Sequence, residues 1–240
     1  MVYLYNGWQI HYQLWQGTGR VVLLLHGWGR SMEDFNQLRS QFPQRTFLAI
    51  DFPPFGKSDK NIQGWGIFTY VGMVMSLCEH LGIDSVDVVG HSFGGRVAII
   101  LSAVRCALVH SCILIDSAGI KPKRSLKFRL KKLKYKLYKK MGKNLQGFAS
   151  ADYLALPQNM KPTFSNIVET HLNNYAKASN SRTLIVWGGN DQETPLYMAK
   201  RLKKYIRKSR LEILANAGHF CFLDCPLQFF AIVKKFWEEE

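Results

Sequence analysis

Gly90-His91-Ser92-Phe93-Gly94 sets a serine between two glycines, directly after the apolar run Val86–Val89 and at the head of a helix-period segment that starts at Phe93. A serine at such a strand-to-helix turn projects its hydroxyl beyond the sheet edge, and the flanking glycines let the crowded turn close. The chemistry this predicts is nucleophilic attack on a carbonyl. The pentapeptide alone is unspecific; its flanks supply the specificity.

A hydroxyl attacks well only when a base takes its proton. Among seven histidines, His219 stands apart. It lies in Asn216-Ala-Gly-His-Phe220, a small-residue loop between the last predicted strand and the last predicted helix, where an imidazole can hang over the sheet edge. His11 falls in a predicted hairpin and His26 and His91 flank motif glycines, while His80, His110 and His171 fall on helices or strand starts; these read as structural. The base needs an acceptor that fixes its tautomer, and Asp191 in Trp187-Gly-Gly-Asn-Asp191 follows the run Thr183–Trp187. Asp116 also follows a strand and is the rival acid, with Asp51 and Asp224 behind it. The chain order Ser92, Asp191, His219 is one of the three known orders for a Ser, Asp and His set. An oxyanion would meet the backbone amides of Trp28, in the turn His26-Gly-Trp-Gly29, and of Phe93. The Trp28 indole itself reads as packing.

These groups need a sheet edge to converge on. Continuous apolar runs at Val21–Leu25, Thr46–Ile50, Val86–Val89, Ser111–Ile115, Thr183–Trp187 and Leu211–Leu214 predict strands covered on both faces. Helix-period segments around Met32–Gln41, Phe68–Leu81, Phe93–Arg105, Pro195–Lys208 and Leu227–Trp237 alternate with them, which predicts a parallel sheet with helices on both sides. Val2–Tyr5 and Gln9–Trp15 meet at Asn6-Gly7, a hairpin signal, so the sheet begins antiparallel. About 65 residues between the strand ending near Asp116 and the one starting at Thr183 break the alternation. They predict an insertion over 119–179, with the core formed by 1–118 and 180–240.

The 240 residues fit one domain, and 47% apolar content suffices for a core. No apolar run is long enough to span a bilayer. The start of the chain lacks a secretory signal, and five scattered cysteines read as free thiols, so a cytoplasmic setting is expected. No metal site and no cofactor are expected: Cys221 and Cys225 near His219 lack a second ligand pair at suitable spacing.

The net charge of +15 is local. Twelve bases and no acid lie between Lys121 and Lys143, leaving twenty bases against seventeen acids elsewhere. Leu126, Leu130, Leu133, Leu137 and Met141 recur at helical spacing there, predicting a basic amphipathic helix. Three roles stay open for it: a solvated face over packed apolar residues, peripheral contact with an anionic surface, or a lid steering acidic substrates. No nucleic-acid motif accompanies it, and nucleic acid is not expected.

Taken together, His26-Gly-Trp-Gly29, Gly90-His-Ser-Phe-Gly94, Asp191 and His219 resemble the α/β-hydrolase superfamily over essentially the whole chain. Asp51-Phe-Pro-Pro-Phe-Gly-Lys-Ser58 is similar to a further family stretch, with Pro54 where a glycine is usual. The resemblance implies a mostly parallel eight-stranded sheet with helices on both faces and an inserted helical cap. It also implies Ser92, His219 and Asp191 as a triad and Trp28 and Phe93 as the oxyanion turn. Serine at position 92 speaks against the members with an aspartate nucleophile, the haloalkane dehalogenases and epoxide hydrolases. The expected activity is hydrolysis of a small carboxylic ester or related acyl compound. Carbon–carbon hydrolysis or elimination on the same triad, and ligand binding through the basic helix, are the alternatives.

Overall fold

The computed structural model describes residues 1–62, 64–122, 134, 138, 141, 153, 154 and 156–239. Eight strands form one sheet: β1 (Val2–Tyr5), β2 (Trp8–Trp15), β3 (Thr18–Leu25), β4 (Arg45–Ile50), β5 (Val86–His91), β6 (Val109–Ile115), β7 (Arg182–Gly188) and β8 (Ser209–Leu214). Their spatial order is β1-β2-β4-β3-β5-β6-β7-β8. β2 pairs antiparallel with β1 and β4, and every later pairing is parallel. The hairpin forms because Asn6 and Gly7 both adopt positive φ, 49° and 88°, as a two-residue turn between twisted strands requires.

Alternation along each strand sends neighbouring side chains to opposite faces. Leu23, Leu25, Val88, Leu114, Ile185 and Trp187 belong to one apolar cluster, closed by α2 (Ile67–His80), α3 (Phe93–Val104) and α6 (Tyr197–Tyr205). Val22, Leu24, Val89, Ile113, Leu184 and Val186 belong to another, closed by α1 (Asn36–Gln41), α7 (Cys221–Asp224) and α8 (Pro226–Glu238) through Leu38, Phe222, Phe229, Val233 and Phe236. Helices therefore cover both faces. β8 departs from the expectation of two covered faces: it is the last strand, and Ile213 is 43% exposed. A lone edge position leaves one flank without a neighbouring strand or helix to cover it.

Between β6 and β7 the described residues form α4 (Lys161–Glu169) and α5 (Asn173–Ala178). Arg96 of α3 reaches up to them, its Nη1 donating to the carbonyls of Ile167 (2.8 Å) and Thr170 (2.9 Å). A cation at a helix C-terminus meets the negative end of the helix dipole. Most of the expected basic helix, Lys121–Lys143, lies outside the described residues. Among the described residues no helix is long and apolar enough to cross a membrane.

Candidate active site

β3, β5, β6, β7 and β8 all end at one edge of the sheet, and their C-terminal loops build the site. β5 delivers Ser92, which stands before α3 with φ 48° and ψ −105°. That positive φ is uncommon for a residue with a side chain. Its strain is held by the neighbours: Ser92 N–H donates to Ile115 O (3.0 Å), and Ser92 O accepts from Ala118 N–H (3.1 Å). The flanking glycines are dictated by close approach. A Cβ on Gly90 would lie 2.7 Å from Gly94 O, and one on Gly94 would overlap the Leu25 carbonyl.

The loops after β7 and β8 are joined by backbone bonds, Gly189 N–H to Leu214 O and Asn190 N–H to Ala217 O, both 2.9 Å. They bring the imidazole of His219 between the other two groups. His219 Nε2 lies 3.0 Å from Ser92 Oγ, and His219 Nδ1 lies 2.9 Å from Asp191 Oδ2. Asp191 is fully engaged: Oδ1 accepts from the amides of Glu193 (2.8 Å) and Thr194 (2.9 Å), and Oδ2 accepts from the Thr194 hydroxyl at 2.6 Å. Burial alone would raise its pKa, but the hydrogen bonds from His219 and Thr194 hold it below the usual carboxylate range. Burial likewise opposes the imidazolium of His219. The bond to Asp191 and the charges of Asp191, Glu193 and Asp116 outweigh that and hold its pKa above the ordinary value.

The rival acids do other work. Asp116 Oδ1 accepts from Gly188 N–H (2.8 Å) and Oδ2 from Cys221 N–H (3.1 Å), so it ties the β7 loop to the loop after β8 without a hydrogen bond to His219. Asp51 accepts from Met32 N–H, Lys57 N–H and His11 Nδ1–H, and Asp224 from Gly218 N–H. Pro53 and Pro54, in the stretch that departs from the family pattern, are joined by a cis bond. Gly56 takes positive φ there, where a side chain would collide with Asp51.

Among the motif histidines, His26 is buried with Nδ1 donating to Gly27 O (2.7 Å) and Nε2 accepting from Phe52 N–H (2.8 Å). It fixes the turn that carries Trp28. Burial, reinforced by the charge of His219, depresses the pKa of His91 to about 3, so it is neutral. Its Nε2–H donates to the His219 carbonyl at 2.8 Å and steadies the loop of the imidazole. By sequence His91 reads as structural; only the contact across 128 residues reveals this link. Thr194 and Glu193, whose Oε2 stands 3.2 Å from His219 Nε2, likewise belong to no sequence motif. Their places two and three residues after Asp191 were the available signal.

Beside Ser92 opens a cavity of about 650 Å³. Trp28, Phe55, Phe93, Phe164, Ile167 and Met198 give it apolar walls. The Trp28 ring packs edge-on against Phe55, Phe93 and Phe164, with centroids 4.9, 5.4 and 5.3 Å away. Phe93 opens α3, so its N–H has no intrahelical acceptor.

An uncharacterised protein of Mycobacterium tuberculosis is 27% identical to this chain over 267 aligned positions, covering 92% of this chain and 76% of its own. Two solved structures share the fold. A meta-cleavage product hydrolase from Pseudomonas fluorescens superposes with a TM-score of 0.77 at 20% identity, over 100% of this chain and 97% of its own. An esterase from Exiguobacterium antarcticum superposes with a TM-score of 0.77 at 22% identity, over 96% of each chain. The sequence model of the alpha/beta hydrolase family matches residues 22–232, and with the sheet order and loop geometry above this chain belongs to that family.

Proposed function

We propose that this chain is a serine hydrolase acting on a small carboxylic ester or related acyl compound. The reading is carried by one imidazole that reaches Ser92 Oγ at 3.0 Å and Asp191 Oδ2 at 2.9 Å. Ser92 Oγ attacks the acyl carbonyl while its proton passes to His219 Nε2, and Asp191 holds the resulting imidazolium. The tetrahedral oxyanion is met by the amides of Trp28 and Phe93. Collapse expels the alcohol, which takes the proton from Nε2. Water activated by the same nitrogen then releases the acid from the acyl-enzyme.

Residues 119–179 act in this reading as the cap, supported by Ile120, Leu156, Phe164 and Ile167 on the cavity wall. The free cysteines support a reducing, cytoplasmic setting. The esterase and the meta-cleavage product hydrolase are named for different bonds, so the ester reading rests on the site. Ser92→Ala is expected to lower kcat on a chromogenic acyl ester about a millionfold and to abolish labelling by a fluorophosphonate. A variant as fast as the parent would end the proposal.

A further inference from the structure

The cavity beside Ser92 holds few charged groups, and two of them are engaged elsewhere. Arg30 grips Asp34 through Nε and Nη2 at 2.8 and 2.6 Å, and Arg96 is bound by the carbonyls at the end of α4. Asp191 and Asp116 lie behind the imidazole, each accepting from backbone N–H groups, and neither lines the cavity. Among the described lining residues Glu193 is the one carboxylate. Its side chain is 61% exposed, and Oε2 stands 3.2 Å from His219 Nε2.

That nitrogen must return a proton to the departing group, whose heteroatom has to come within about 3 Å of it. The leaving group therefore stands within roughly 6 Å of the Glu193 carboxylate during bond cleavage. An ionised carboxylate only accepts hydrogen bonds. In the neutral imidazole Nδ1–H serves Asp191 and Nε2 is itself an acceptor, so the resting base offers Glu193 no donor and leaves it to the substrate.

We infer that Glu193 is a specificity-determining residue that favours leaving groups bearing a positive charge or a hydrogen-bond donor and opposes anionic ones. The inference rests on the serine hydrolase reading and adds to it the class of alcohol released. Steering by the basic segment would act on the whole substrate at long range, whereas Glu193 acts at the bond that breaks. Because the carboxylate is well solvated, the discrimination is modest, about three- to tenfold.

The test compares a choline ester with its uncharged 3,3-dimethylbutyl isostere, carrying the same acyl chain, in the parent, Glu193→Gln and Glu193→Asp. The parent is expected to favour the choline ester about three- to tenfold in kcat/KM, and Glu193→Gln to bring that ratio to about one. Glu193→Asp retains part of the preference, and added salt shrinks it in the parent. An equal ratio in the parent and Glu193→Gln overturns the inference. So does a parent that cleaves neither ester while a fluorophosphonate still labels Ser92. Absence of that labelling instead sinks the hydrolase reading, and the inference with it.

Discussion

β6 and β7 run side by side, and each leads into a loop with a buried aspartate, Asp116 after the first and Asp191 after the second. The two carboxylates face different partners. Asp191 accepts two backbone amides, a hydroxyl and the imidazole, and this dense set keeps it charged in spite of burial. Asp116 is fully buried with one backbone amide on each oxygen and a hydrogen bond from the Cys221 thiol, and burial still pushes its pKa up to about 7. Asp116 lies deeper than Asp191 and has the Asp191 charge beside it, so burial outweighs its donors, whereas at Asp191 the imidazole and hydroxyl bonds outweigh burial. Asp191 faces His219; Asp116 ties together the two loops that carry Asp191 and His219.

If that division holds, Asp191→Asn should reduce kcat about 10⁴-fold, because an amide no longer fixes the tautomer or stabilises the imidazolium. Asp116→Asn should stay within about tenfold, the scale of one neutral hydrogen bond in the loop clamp. Steady-state kinetics of both variants on one chromogenic ester would check this. Losses of similar size would erase the distinction between the two loops.

The next expected effect is on stability. The Asp116 carboxyl keeps its proton up to about pH 7 when folded but loses it near pH 4 when unfolded. Over that interval the unfolded chain holds fewer protons, so folding weakens as pH rises. The weakening amounts to about 4 kcal/mol, absent below pH 4 and complete above pH 7. Asp116→Asn is free of it. Urea unfolding of both proteins at pH 5 and pH 8 should therefore show the variant gaining on the parent as pH rises, and parallel curves would refute the assigned burial cost.

How much of this could be read from the sequence follows from how local each constraint is. Ser92 was legible because its turn needs glycines at 90 and 94, and the hairpin because Asn6 and Gly7 suit positive φ. The central strands are legible from unbroken apolar runs, while the run at β8 predicts full cover and its edge position exposes Ile213. α4 and α5 left little trace, being only nine and six residues long and rich in polar side chains. Asp116 and Asp191 looked alike, since each follows a strand, and only the donors around them tell them apart. The contacts of His91 and Glu193 with His219 arise from folding and have no sequence pattern of their own.

The smallest expected effect concerns the acid limb of the pH profile. In the proposed mechanism activity requires neutral His219, because an imidazolium cannot take the proton of Ser92. The net rise in the His219 pKa means that kcat/KM should climb with pH through a midpoint above the ordinary 6.5. The same shift stabilises the fold below that ordinary value, and the gain is lost as pH rises through the folded midpoint. Asp191 contributes most of the attraction, and Asp116 adds to it from behind only as it loses its own proton near pH 7. Asp116→Asn removes that charge and should move the kinetic midpoint down by a fraction of a unit, readable in kcat/KM for an uncharged ester. An upward movement would mean that Asp116 acts on His219 through loop position and not through its charge, leaving the electrostatic role to Asp191 alone.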